Sequence, residues 1–142
     1  MIDIELVRRK LSRLNMYLEK LAPISRKTLA EYTADSYLKF SAERLIQLIV
    51  EAATDINNHV VVETGNRPPE DYTISFINAA EAGLVTQELA ERLKGSAGMR
   101  NILVHEYMDI DDEKVHQAIP LALDGYKEYL RQVDVFLDKL EK

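Results

Sequence analysis

The sequence predicts an all-α protein, an antiparallel helical bundle with two long helices and shorter ones. Three observations carry that prediction. Apolar residues recur at three- and four-residue spacings over most of the chain, the period of a helix that buries one stripe. No segment alternates apolar and polar residues as a half-buried strand would. The composition, 46% hydrophobic and 30% charged with five glycines and four prolines, is that of a globular, helix-favouring chain rather than a disordered one. At 142 residues the chain is long enough to bury a core, and residues 1–142 are expected to form a single domain.

The first predicted helix runs from about Asp3 to Leu21. Ile4, Val7, Leu11, Leu14, Leu18 and Leu21 form one apolar seam, most of the basic residues lie elsewhere on the circumference, and Pro23 is expected to end it. A connector through Ser25 and Thr28 leads to Thr33 or Asp35, either of which suits the N-cap of a long helix reaching Glu63. The buried stripe of this spine is read through Leu38, Ser41, Leu45, Leu48, Ala52, Asp55 and His59, broadened by Phe40, Ile49 and Ile56.

Gly65, Asn66, Pro68 and Pro69 make a turn-rich connector. A short helix follows over Ile74 to Ala82, capped by Asp71 or Thr73 and stopped by Gly83. Thr86 is expected to cap the next helix, whose run Gly95, Ser96, Ala97, Gly98 calls for a bend or a close approach of another backbone. The acidic cluster of Asp109, Asp111, Asp112 and Glu113 fits a helix start better than a metal site. The last long helix carries Val115, Ile119, Ala122, Tyr126, Leu130, Val133, Leu137 and Leu140 on one face, with Pro120 expected to kink it or to mark its beginning.

Composition also limits function. With no cysteine there is neither a disulfide framework nor a cysteine-based zinc site, and a reducing compartment is expected. The opening MIDIELVRRK lacks the apolar core of a signal peptide and no run of about 18 apolar residues occurs, so a cytoplasmic protein without a membrane span is expected. The net charge of −6, from 18 basic and 24 acidic residues, argues against an extended nucleic-acid-binding surface. A local basic cleft around Arg92, Lys94 and Arg100 is still compatible with that charge.

The stretch Gly98 to Tyr107, GMRNILVHEY, concentrates the chemistry. On a continuous helix, Arg100 and Tyr107 point the same way and Asn101 lies one turn below His105, so the polar groups make one ridge on an otherwise apolar segment. A guanidinium can hold a phosphate through two parallel hydrogen bonds and an imidazole titrates near neutrality, so the pair can anchor a phosphodiester and move a proton with no metal or other cofactor. Asp55 and His59, four residues apart, share a face. His59 is read as structural, near a helix C-terminus with Asp55 as its partner, while Asp55 is also a candidate to support the site by facing the cleft of an assembled dimer.

The pattern of Arg100, Asn101, three apolar residues, His105 and Tyr107 resembles the signature of the HEPN superfamily, most closely its HepT-like toxins. ERLIQLIVEAATDINNH (Glu43 to His59) and AGLVTQELAERL (Ala82 to Leu93) resemble the same family, so the likeness covers most of the chain. It implies an all-helical HEPN-like bundle that forms a homodimer and acts as the toxin of a type VII-like toxin–antitoxin pair, whose antitoxin is an MntA-type nucleotidyltransferase. It further implies a metal-independent endoribonuclease with Arg100 and His105 as catalytic residues and Asn101 in support, neutralised by addition of AMP to Tyr107. The alternative within the same superfamily is a non-catalytic module that binds nucleotides or a nucleotidyltransferase.

Overall fold

A computed structural model describes residues 1–142 as six α-helices and one 3-10 turn, with no strand. The helices are α1 (Ile4–Ser25), α2 (Leu29–Ala34), α3 (Ser36–Glu63), α4 (Tyr72–Glu81), α5 (Gln87–His105) and α6 (Asp112–Leu140), and the turn spans Tyr107–Asp109. No helix is long and apolar enough to cross a membrane.

Side-chain contacts fix the helix directions. Asp3 N–H donates to His59 Nε2 at 3.0 Å and Lys10 reaches Asp55 at 3.5 Å, so α1 and α3 run antiparallel. Arg8 clamps Asp134, Asp138 and Glu141 while His116 meets the Lys27 carbonyl, so α1 and α6 are antiparallel too. Helix α5 packs antiparallel to α6, with Ser96 Oγ 2.6 Å from the Tyr126 hydroxyl, and α4 packs along α5 as far as Tyr72 beneath Arg100. Helices α3 and α6 are the parallel diagonal of this antiparallel bundle, Lys39 lying at Asp112 and Asn57 at Tyr129.

Capping explains most boundaries. The carboxylates of Asp3, Asp35, Asp71 and Asp111 and the hydroxyls of Thr28 and Thr86 accept amide hydrogen bonds at six helix starts. Of the two candidates for α3, Asp35 is the cap, because Thr33 is inside α2 and spends its hydroxyl on the Leu29 and Ala30 carbonyls. Gly83, at φ +82°, supplies the left-handed residue that ends α4.

Several expectations are corrected. Helix α1 passes through Pro23 and ends two residues later, since a proline in the last turn costs one exposed hydrogen bond. The connector holds the extra helix α2, nucleated by a capping box between Thr28 and Glu31. Helix α6 starts eight residues before Pro120, which lies on its solvent face, where the freed carbonyl can be hydrated. The cleanest error is the register of α3: its buried positions are Ala42, Ile46, Ile49, Val50, Ala53, Thr54, Ile56, Asn57, Val60 and Val61, and of these Ala42, Ile46, Ala53 and Val60 each lie one residue beyond a predicted stripe member, while Ile49 and Ile56 are as predicted. The displaced stripe would have buried Asp55 and His59; the true one buries Ile56 and Val60 and turns the polar pair outward.

The core centres on Phe76, Tyr126 and Tyr129, mutually edge-on at 5.9 to 6.4 Å between ring centroids. Tyr129 O–H donates to Asn57 Oδ1 at 2.6 Å and lies 3.0 Å from the Ala53 carbonyl, which ties α6 to α3 directly behind the apolar stripe. Burial pushes the Tyr126 and Tyr129 phenols up, so both stay neutral and act only as hydrogen-bonding groups. The tight contact is at Gly125, where the Leu93 side chain packs so closely that an added Cβ would lie 2.7 Å from its Cδ2, and not at Gly95 or Gly98, which face open space.

Candidate active site

Helix α5 is held along its length by Leu89, Ala90, Leu93, Ala97 and Leu103, which face the core. This orientation carries Arg100 into the corner between α3, α4 and α5. The guanidinium Nε and Nη2 donate to Glu51 Oε2 at 3.2 and 3.0 Å, and Nη1 donates to Asn101 Oδ1 at 3.2 Å. The face of the group lies over the Tyr72 ring, with Cζ 4.1 Å from the centroid, a cation–π geometry. Tyr72 is the first residue of α4, so the Asp71 cap that starts that helix also sets the ring beneath Arg100.

Glu51 is the residue that the sequence reading missed. Its Oε2 also accepts from Gln47 Nε2 at 3.1 Å, so three donors converge on one carboxylate oxygen. The Arg100 and Glu51 side chains are only 13% and 29% exposed, which makes this pair less screened than a surface ion pair. A guanidinium has five N–H donors. Three are used here, and one remains on each terminal nitrogen, the pair of donors that suits two phosphate oxygens.

The other predicted residues are not all gathered at this corner. His105 is the last residue of α5 and is exposed, without a hydrogen-bond partner in the chain. At 100° per residue it points about 140° away from Arg100 around the helix, while Asn101 lies within about 40° of it. Arg100 and Asn101 are thus joined directly, and His105 opens on solvent beyond them. Tyr107 does not extend the ridge: the chain leaves the helix at Glu106, at φ −124° and ψ 34°, and Tyr107 begins the 3-10 turn with 66% of its surface exposed.

Asp55 and His59 do not pair with each other. Asp55 is exposed and reaches Lys10 of α1, whereas His59 Nε2 accepts from the Asp3 amide and fastens the start of α1 to the end of α3. The carboxylate that meets Arg100 is Glu51, one helical turn before Asp55. In the acidic cluster, Asp111 caps α6 and Asp112 pairs with Lys39 at 3.2 Å. In the basic patch, Lys94 pairs with Glu91, and Arg92 is exposed.

The Arg–Asn–His–Tyr segment and the helices that frame it lie within residues 14–133, which match the model of the ribonuclease HepT-like family. The chain belongs to that family. The tRNA nuclease HepT of Aphanizomenon flos-aquae is 35% identical over 141 residues, 99% of this HepT-like chain and 96% of the relative. The mRNA nuclease HepT of Shewanella oneidensis is 29% identical over 101 residues, covering 71% of this chain and 76% of its own. Among solved structures, the tri-AMPylated HEPN toxin of Shewanella oneidensis in complex with MNT antitoxin superposes with a TM-score of 0.82 at 24% identity, over 95% of this chain and 99% of the toxin. The HepT-like bundle therefore has the HEPN toxin fold.

Proposed function

We infer that this HepT-like chain is the toxin of a type VII-like toxin–antitoxin pair and cuts RNA without a metal ion, using Arg100 and His105 at a cleft between two copies. The observation that carries the reading is the state of Arg100: oriented by Glu51, Asn101 and Tyr72, it keeps one donor on each terminal nitrogen beside the helix end that bears an exposed imidazole. The full-length similarity to the tRNA nuclease of Aphanizomenon flos-aquae supports RNA as the substrate.

The chemistry follows from those groups. The 2′-hydroxyl attacks the adjacent phosphorus, its proton passes to a base, the bond to the 5′-oxygen breaks, and that oxygen takes a proton from an acid. Arg100 offsets charge on the non-bridging oxygens as it builds up. One imidazole supplies one of the two proton transfers, and in a single chain His105 and Arg100 look in different directions. A two-fold pairing that sets both α5 ends around one phosphate supplies the second imidazole.

Tyr107 is the proposed point of control. Its exposed phenol attacks the α-phosphorus of ATP bound by an MntA-type partner, a phosphodiester forms, and pyrophosphate leaves. The new negative charge and bulk then sit beyond the end of α5 and compete with RNA for the cleft. Mixing the Tyr107→Phe chain with its transferase and ATP is expected to give an unchanged intact mass, where the wild type gains AMP units; undiminished addition to the variant would rule this site out.

A non-catalytic binding module is the second reading, favoured by the acidic net charge and by the carboxylate already paired with Arg100. Incubating the purified chain with RNA in EDTA separates the two. The ribonuclease reading predicts cleavage under those conditions, and intact RNA would leave the module.

A further inference from the structure

We propose that the face of α3 bearing Tyr37, Phe40 and Arg44 is a shelf for single-stranded RNA, which binds the nucleotides next to the one held at Arg100. The proposal rests on the ribonuclease reading of that site and adds where the rest of the strand lies.

The placement comes from α3 itself. Glu51 points at Arg100, and at 100° per residue Gln47, Arg44, Phe40 and Tyr37 all lie within about 40° of the Glu51 direction. They continue one stripe from the motif toward the start of the helix, and the Gln47 amide already touches Glu51. Helix α5 runs beside this stripe in the opposite sense. Arg100 is level with Glu51, and the beginning of α6, just beyond α5, is level with Lys39. With a rise of about 1.5 Å per residue, His105 falls level with about Ile46, so the shelf starts where the motif ends.

The composition of the stripe is unusual for a helix surface. Tyr37 is 84% exposed and Phe40 66% exposed, two large aromatic faces one turn apart with nothing stacked on them. Arg44, one turn further toward the motif, is exposed and forms no ion pair. Of the bordering carboxylates, Asp35 holds the Tyr37 and Leu38 amides and Asp112 pairs with Lys39, while burial and the nearby Asp112 push the carboxyl of Glu43, next to Arg44, up and weaken its pull on a neighbouring cation. A free guanidinium followed by two exposed rings is what a single strand needs: a contact for one phosphate, then faces on which bases of any sequence stack. In a chain of net charge −6 this is a small cationic and aromatic track rather than a broad basic surface.

The test measures binding of a fluorescein-labelled single-stranded hexaribonucleotide by anisotropy, in the full-length His105→Ala chain so that the probe stays intact. Adding either Tyr37→Ala or Phe40→Ala is expected to weaken binding roughly tenfold to a hundredfold, the effect of losing one stacked base. Tyr37→Phe and Phe40→Trp should restore it. Arg44→Gln should weaken binding and reduce the slope of log affinity against log salt by about 0.7, the share of one phosphate on a single strand. Affinity unchanged by these substitutions would overturn the proposal, as would a parent chain that does not bind the hexamer. Sedimentation of the same variants supplies a further check: a changed molecular mass would make this face a contact between copies and overturn the shelf. Cleavage of the hexamer by the wild-type chain reports separately on the ribonuclease reading, so a shelf that binds without cleavage and cleavage that ignores the shelf are distinct results.

Discussion

His105→Ala is expected to reduce RNA cleavage by roughly a thousandfold, within the range removed when a positioned acid or base is lost. It should do so without cost to the fold, because the side chain is exposed at the end of α5 and makes no hydrogen bond within the chain. Cleavage rate and thermal midpoint therefore separate for this variant. A chain that melts like the wild type and no longer cuts RNA supports a chemical role; equal cleavage would remove His105 from the mechanism. Arg100→Ala should lose activity to a similar extent but is a less clean probe. Truncation leaves the part-buried Glu51 carboxylate with only the Gln47 amide as partner and uncovers the Tyr72 ring, so part of the loss would come from local unfolding.

The second large effect is expected at Glu51. In Glu51→Ala, a guanidinium that is 13% exposed loses two charge-assisted hydrogen bonds and keeps only Asn101 and the Tyr72 face. Hydrogen bonds to charged groups of this kind contribute about 1.5–3 kcal/mol, so the urea midpoint should fall by a corresponding amount. Cleavage should fall at least tenfold as well, since the two free donors of Arg100 are aimed only while the rest of the fork is held. Glu51→Gln keeps an acceptor and should lie between the two. Asp55→Ala, one turn away but exposed and bound only to Lys10, should shift stability by less than about 0.5 kcal/mol. If Glu51→Ala and Asp55→Ala behave alike, Glu51 does not position Arg100.

The contrast between these two carboxylates shows what sequence reasoning reaches and where it stops. Seams on α1 and α6 and the cap at Thr86 were legible, and the cap of α4 was narrowed to Asp71 or Thr73, because each depends on residues within one or two turns. In the middle of α3, apolar residues occupy adjacent stripes, so periodicity alone does not choose between registers one residue apart. The presence of Asp55 and His59 in the chosen stripe was the available sign that the other one is buried. Local spacing likewise suggested an Asp55–His59 pair, while their real partners, Lys10 and Asp3, lie more than 40 positions away in the chain. Glu51 was hidden for the same reason, its partner being 49 residues on. At the motif, residue types were legible and geometry was not: nothing in NILVHEY marks the helix end after His105, which turns Tyr107 away from Arg100.

The proposed cleavage mechanism requires the α5 ends of two copies to serve a single phosphodiester. Dimers assembled from one wild-type and one His105→Ala chain, purified through different tags and assayed on RNA, test this most directly. A shared cleft predicts that the mixed dimer loses most of its activity, close to the level of the doubly substituted dimer. Retention of half the wild-type rate or more would mean that each chain carries a complete site of its own, which contradicts the shared cleft.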